Sequence, residues 1–170
     1  MGGVEEGFPD FLPDGRLVFV GREHGRPGRV FLHKLDAGLP QPITPEDTDL
    51  AGVSPDGRQI AVLDKDKVVW IYPVEGGKPR RVPAPPQKTG YFWPWSSDGL
   101  SLFVEERSPL SVRLFRFDLA TGQRTLWKEI KPADPAGIFW FNSLPGADGH
   151  SYVHNYRRSL GSLYIIEGLR

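Results

Sequence analysis

Val53-Ser54-Pro55-Asp56-Gly57-Arg58-Gln59-Ile60-Ala61-Val62 is the stretch that decides the fold. Proline presets the backbone for the second position of a turn, aspartate accepts hydrogen bonds from the backbone beyond it, and glycine takes the left-handed conformation. Apolar residues flank the turn on both sides, so it reads as a tight hairpin with a bulge. The string returns upstream as Phe11-Leu12-Pro13-Asp14-Gly15-Arg16-Leu17-Val18-Phe19-Val20 and downstream as Trp95-Ser96-Ser97-Asp98-Gly99-Leu100-Ser101-Leu102-Phe103-Val104. A fourth copy is Pro145-Gly146-Ala147-Asp148-Gly149-His150-Ser151-Tyr152-Val153. The Asp-Gly pairs stand 42, 42 and 50 residues apart. That spacing brackets the ~40–45-residue period of four-stranded blades stacked around an axis.

Each repeat has the same internal order. Apolar runs at 8–12, 50–53, 91–95 and 138–141 precede the turn, and runs at 17–20, 60–63, 102–104 and 152–156 follow it. A third run comes at 30–35, 68–74, 112–119 and 163–166. After a Gly-containing turn (Ala37-Gly38, Gly76-Gly77 or Thr121-Gly122) a fourth lies at 41–44, 80–82 and 124–130, and the last repeat reaches Arg170 without one. Lys67-Val68-Val69-Trp70-Ile71-Tyr72 and Tyr91-Phe92-Trp93-Pro94-Trp95 are apolar on both faces, as befits sheets covered on both sides. The expectation is an all-β propeller of about four four-stranded blades, the last lacking its outer strand, with blades near 8–49, 50–90, 91–137 and 138–170. No helix is expected, and Pro94 must sit at a sheet edge or a bulge.

Composition narrows the function. The 170 residues suit one domain, and 21 basic against 21 acidic side chains argue against nucleic acid as a partner. With no cysteine, disulfides, thiolate nucleophiles and cysteine-held metals are excluded. No run approaches the ~20 apolar residues of a membrane span, so direct membrane insertion is not expected. The acidic start lacks an export signal's apolar region. As it stands the chain reads as soluble and unexported, and as extracytoplasmic if it follows a span in a longer protein.

Ser54-Pro55-Asp56-Gly57-Arg58-Gln59-Ile60-Ala61-Val62, with Glu75-Gly76-Gly77-Lys78-Pro79-Arg80-Arg81-Val82, resembles the TolB-type, WD40-like propeller repeat. The other copies depart from it where Leu12 replaces serine and where Ser97 and Ala147 replace proline. A second resemblance runs from Phe115-Arg116-Phe117-Asp118 through Leu126-Trp127-Lys128-Glu129 to Tyr156-Arg157-Arg158 and Leu163-Tyr164-Ile165-Ile166. It is similar to the end of the propeller found behind bacterial serine/threonine kinase domains. This implies a sensing or docking module. Kinase chemistry does not carry over, because the chain has no Gly-rich loop, His-Arg-Asp loop or Asp-Phe-Gly. The resemblance to TolB also raises an envelope-binding role, and other propellers serve as peptidase gates or carry a lyase site.

No residue is expected to be catalytic, to bind a cofactor or to ligate a metal. His150 and His154 would be separated by about 13 Å along a strand; His24 and His33 have no suitable companions. Gly52-Val53-Ser54-Pro55-Asp56 lacks the final glycine of a nucleophile elbow. Asp14, Asp56, Asp98 and Asp148 are explained by turn geometry, and Trp70, Trp93, Trp95, Trp127 and Trp140 by packing between blades. Charge concentrates in loops at the other end of the blades. The candidate interaction rim comprises Arg22, Glu23, His24, Arg26, Lys65, Glu106, Arg107, Lys131, Arg157 and Arg158, joined by Glu46, Asp47, Asp64, Asp66, Lys88, Glu105 and Asp134. Mixed signs favour a protein or peptide partner over a polyanion. The strand count points to a segment of a longer propeller, and open terminal blades point to self-association.

Overall fold

The computed structural model describes residues 9–83, 92–108 and 111–161. Its strands are β1 (Asp10–Phe11), β2 (Leu17–Gly21), β3 (Arg29–Lys34), β4 (Ala37–Pro42), β5 (Thr48–Val53), β6 (Gln59–Asp64), β7 (Val69–Pro73), β8 (Arg80–Arg81), β9 (Phe92–Trp95), β10 (Ser101–Ser108), β11 (Ser111–Asp118), β12 (Arg124–Ile130), β13 (Ile138–Pro145) and β14 (Tyr152–Arg158). No helix occurs among the described residues. The strands form the antiparallel sheets β1-β2-β3-β4, β5-β6-β7-β8 and β9-β10-β11-β12 and the pair β13-β14. These are blades 1 to 4. The third run expected at 163–166 lies outside the described residues.

The lead strands line up: β5 packs against β1 and β9, and β9 against β13. Chain order is thus stacking order, and each inner blade is covered on both faces. In β6, Ile60 and Val62 enter the cluster shared with blade 1, alongside Val18, Val30 and Val74. The alternate residues Ala61 and Leu63 join Val69, Ile71, Trp95, Leu102, Val104, Phe115 and Phe117 between blades 2 and 3. Val112, Leu114, Ile130, Ile138 and Phe141 fill the next gap. A strand pointing successive side chains to opposite faces must be apolar at every position when both faces are covered.

Two local features differ from the sequence reading. The turn expected at Ala37-Gly38 falls two residues earlier, at Leu35-Asp36: Lys34 pairs with Ala37, so β4 starts there, with a bulge between Leu32 and Lys34. The first Asp-Gly hairpin is also one residue tighter than the others. Leu12 N–H donates to the Arg16 carbonyl, whereas Ser54 donates to Gln59, Ser96 to Ser101 and Gly146 to Ser151. In the second and third copies a serine hydroxyl props the wider loop open. Ser54 Oγ donates to Asp56 Oδ1 (2.7 Å) and accepts from Gln59 N–H (2.9 Å), and Ser96 Oγ does the same for Asp98 and Ser101. Leu12 has no such hydroxyl, and neither has Gly146, whose hairpin is wide all the same. A one-residue change flips every side chain beyond it. Val18, aligned with Ile60 by the turn, accordingly faces the following blade, as Ala61 does. Pro94 lies in β9, an edge strand, opposite a bulge between Leu102 and Val104.

The Asp-Gly turns also stack on one another. Gly57 sits under Pro13: a Cβ built on it would lie 2.4 Å from the proline Cδ, and its φ is +68°. Pro55 lies over Gly99 in the same manner, more loosely. At the next junction Ser97 holds the proline position and has an N–H, which donates to the Ala147 carbonyl at 2.7 Å. The turns therefore form a continuous seam along one end of the blades.

Gly57→Ala combines a left-handed φ, worth ~1–2 kcal/mol, with overpacking against Pro13 worth a further ~1–3 kcal/mol. Gly15, at φ +86° with nothing near its missing Cβ, incurs only the first cost. Urea melts of the two variants should separate by about 1–3 kcal/mol, Gly57→Ala being the weaker.

Candidate functional site

The rim forms where strand ends and interblade loops meet, at the end away from the Asp-Gly turns. In the β2–β3 loop Glu23 is held by Arg29 (2.6 Å) and reached by Arg26 (3.4 Å). Arg26 Nε also binds Glu46 Oε1 at 2.8 Å, tying blade 1 to the connection into blade 2. Arg22 and His24 in the same loop are exposed, and neither forms an ion pair among the described residues. In the β6–β7 turn Lys65 pairs with Asp66 at 3.1 Å. That hydrogen bond and charge raise its pKa, with Asp64 and Asp47 adding to the shift, so the blade 1–2 connection and this turn share one electrostatic neighbourhood. Partial burial alone would push the Asp64 carboxyl up. Hydrogen bonds from the Trp70 indole (2.9 Å), Val68 N–H and Asp66 N–H outweigh it and hold the group below its ordinary range.

The remaining rim candidates are bound into the scaffold. Glu106 bridges Arg113 (3.0 Å) and Arg124, and Arg124 lies 4.0 Å over the Phe115 ring. Arg107 binds the fully buried Glu105 and donates to Asn142 Oδ1 of blade 4 at 2.8 Å, linking blades 3 and 4. Lys131 pairs with Glu129 at 3.1 Å. Arg157 stacks over Trp140, and Arg158 holds both the side chain and the carbonyl of Asp134 in the loop leading into its own blade. The structure thus links Glu23, Arg26 and Glu46 by ion pairs and Asp47 to Lys65 by charge beside blades 1 and 2, with Arg22 and His24 exposed on the same loop as Glu23 and Arg26. The blade 3–4 candidates are separate braces. Lys88 lies outside the described residues.

At the opposite end, a cleft of about 280 Å³ opens between the second and third turns, lined by Ser54, Pro55, Asp56, Gln59, Trp95, Ser97, Asp98 and Gly99. Sequence reasoning did not anticipate it, because a gap between two turns leaves no mark in either. Its two aspartates are held below the usual carboxylate range: Asp56 by the Ser54 hydroxyl and Arg58 N–H, Asp98 by the Ser96 hydroxyl and Leu100 N–H, with Arg116 assisting. A general acid needs the opposite displacement. Asp14 is likewise lowered, first by the Arg16 side chain, which also binds Glu75 of blade 2. Among the described residues no three His, Asp or Glu side chains converge as a metal site would require. His24, His150 and His154 are exposed, the last beside Phe141 and Tyr152. His33 is half-buried on β3.

No protein-family model matches the sequence, and no curated protein matches it. Solved structures do. TolB from Acinetobacter baumannii superposes with a TM-score of 0.59 at 16% identity, over 91% of this chain and 44% of that one. The fold is a TolB-like β-propeller. The β-propeller domain of the Trilobed protease from Pyrococcus furiosus, whose topology is an open velcro, gives 0.56 at 16% identity over 95% of this chain and 51% of that one. Oligogalacturonate lyase from Vibrio parahaemolyticus gives 0.53 at 16% identity over 77% and 40%. This propeller segment spans about half or less of the length of those chains.

Two outcomes follow for the braces. Asp148 is held down to about 2 by the N–H groups of Ser151 and His150 and by the Ser151 hydroxyl. A carboxyl more acidic folded than unfolded stabilises fully above about pH 4, and that share is lost as the pH falls through about 2. Urea midpoints between those pH values should fall in the wild type and fall less in Asp148→Asn. Arg107→Ala strips a partner from buried Glu105 and should cost about 3 kcal/mol, read as a lowered unfolding free energy.

Proposed function

We propose that this chain is a non-catalytic propeller module whose rim beside blades 1 and 2 docks a protein or peptide. The observation that carries the reading is that the β2–β3 loop, with exposed Arg22 and His24 and held by the Glu23–Arg29 pair, is tied by Arg26–Glu46 to the connection whose Asp47 acts on Lys65, itself paired with Asp66. Mixed charge on rigidly held loops suits a polar protein surface. The turn carboxylates, ionised and engaged with backbone and hydroxyl donors, favour binding over acid–base chemistry at the other end. The neighbours include TolB, a lyase and a protease propeller, so the binding role rests on this chain's own residues. We also infer, from the resemblance of the 115–170 region, that the module works as the C-terminal part of a longer kinase-linked protein. Sequencing the DNA upstream of Met1 tests this: a kinase reading frame continuous with the chain supports it, and a stop codon followed by a ribosome-binding site overturns it.

Panning a phage-displayed peptide library on the immobilised chain tests the docking role. Selected peptides should bind more weakly as salt rises, since exposed charge pairs are screened within ~8–10 Å at physiological ionic strength. They should lose about tenfold or more in affinity against a combined Arg22→Ala, His24→Ala and Lys65→Ala variant. Peptides that bind that variant as tightly as the wild type would place docking elsewhere and overturn the reading.

A further inference from the structure

The blades are equivalent enough to compare position by position. Two residues beyond the carbonyl that closes each Asp-Gly hairpin come Val18, Ala61, Phe103 and Val153. The first three are at most 1% exposed, because each points at the following blade, while Val153 is 67% exposed. The residues that immediately follow the third strand of blades 1 to 3 are Leu35, Val74 and Leu119. Val74 and Leu119 are 2% and 3% exposed beneath the preceding blade, whereas Leu35 is 65% exposed. Among the described residues blade 4 therefore presents the forward half of an interblade interface with nothing on it, extended by exposed Leu144, and blade 1 presents the backward half through Leu35 and half-buried Phe19, which stacks on the buried Phe31 at 5.8 Å.

We propose that a second copy of this chain covers these faces head to tail, blade 4 of one copy seating on blade 1 of the next. The occupant follows from the kind of surface each end offers. The forward face of a blade has been matched, at every internal junction, by the backward face of another blade, and the described residues include one uncovered example of each. Like faces would pair less well, since the three internal junctions always join unlike ones. The amount also fits: the chain matches 51% of the Pyrococcus propeller domain, so a second copy supplies about as many blades again as a propeller of that size contains. Such a contact is heterologous, closing into a ring or continuing as an open chain according to the rotation per blade. This association stands on the fold and does not depend on what the rim binds.

Sedimentation velocity of the purified 170-residue chain, over a concentration series, gives the first test. Species above 19.0 kDa should grow with concentration. Leu35→Asp and Val153→Asp each place a charge on an uncovered face and should leave a monomer, with association weakened about 100-fold or more. Both side chains are largely exposed in the isolated chain, so the thermal melts of the dilute variants should match the wild type. The deciding sample is a mixture of the two. Each variant keeps one sound face, and the two sound faces are complementary, so the mixture should form a dimer capped at two copies although neither variant associates alone. A monomeric wild type overturns the proposal, as does either single variant that still dimerises by itself, or a mixture that stays monomeric.

Discussion

A four-stranded sheet that is apolar on both faces holds only between two neighbours, and this constraint governs the whole chain. Burying a side chain such as Leu102 or Ile60 contributes roughly 1.5–3 kcal/mol, provided a second sheet lies over it. Among the described residues the core is accordingly three interblade layers, each shared by two sheets. Stability is therefore a sum of junctions, as in other stacked repeats, and the end blades contribute to one junction each.

Charged groups reinforce those junctions. Arg16 with Glu75 ties blades 1 and 2, the Arg80 guanidinium donates to the Leu119 carbonyl across blades 2 and 3, and Arg107 spans blades 3 and 4 between Glu105 and Asn142. The apolar layers set how strongly the blades adhere. The directional contacts set how they align, since hydrogen bonds and bidentate pairs tolerate little sliding. A rim built on such a frame presents its loops at fixed spacing, which suits recognition of a shaped partner.

The fold was legible because it repeats. Four Asp-Gly turns, with apolar runs on either side, define blades without any knowledge of contacts, and the two-faced runs at 67–72 and 91–95 demand neighbours. What escaped was the width of one hairpin and what depends on another blade. The tighter first hairpin leaves no mark in its turn residues, and the reversed facing of Val18 follows from that hairpin. Arg107 and Arg158 read as rim charges because nothing in their own strands announces that Asn142 and Asp134 will stand opposite them. The cleft beside Trp95 lies between two repeats and belongs to neither.

The turn seam has a consequence for how such a chain can be rearranged. Where Pro13 rests on Gly57 and Pro55 on Gly99, the contact is made by a ring against bare backbone, and each turn offers the same surface as the last. The third turn breaks that equivalence, because the Ser97 N–H needs the Ala147 carbonyl opposite it. Blades 1 and 2 thus each offer the next turn a proline ring with no donor, while blades 3 and 4 form a matched set. Duplication or shuffling of blades would propagate freely through the proline junctions and be punctuated at the serine one, giving the array a reading direction written in its turns.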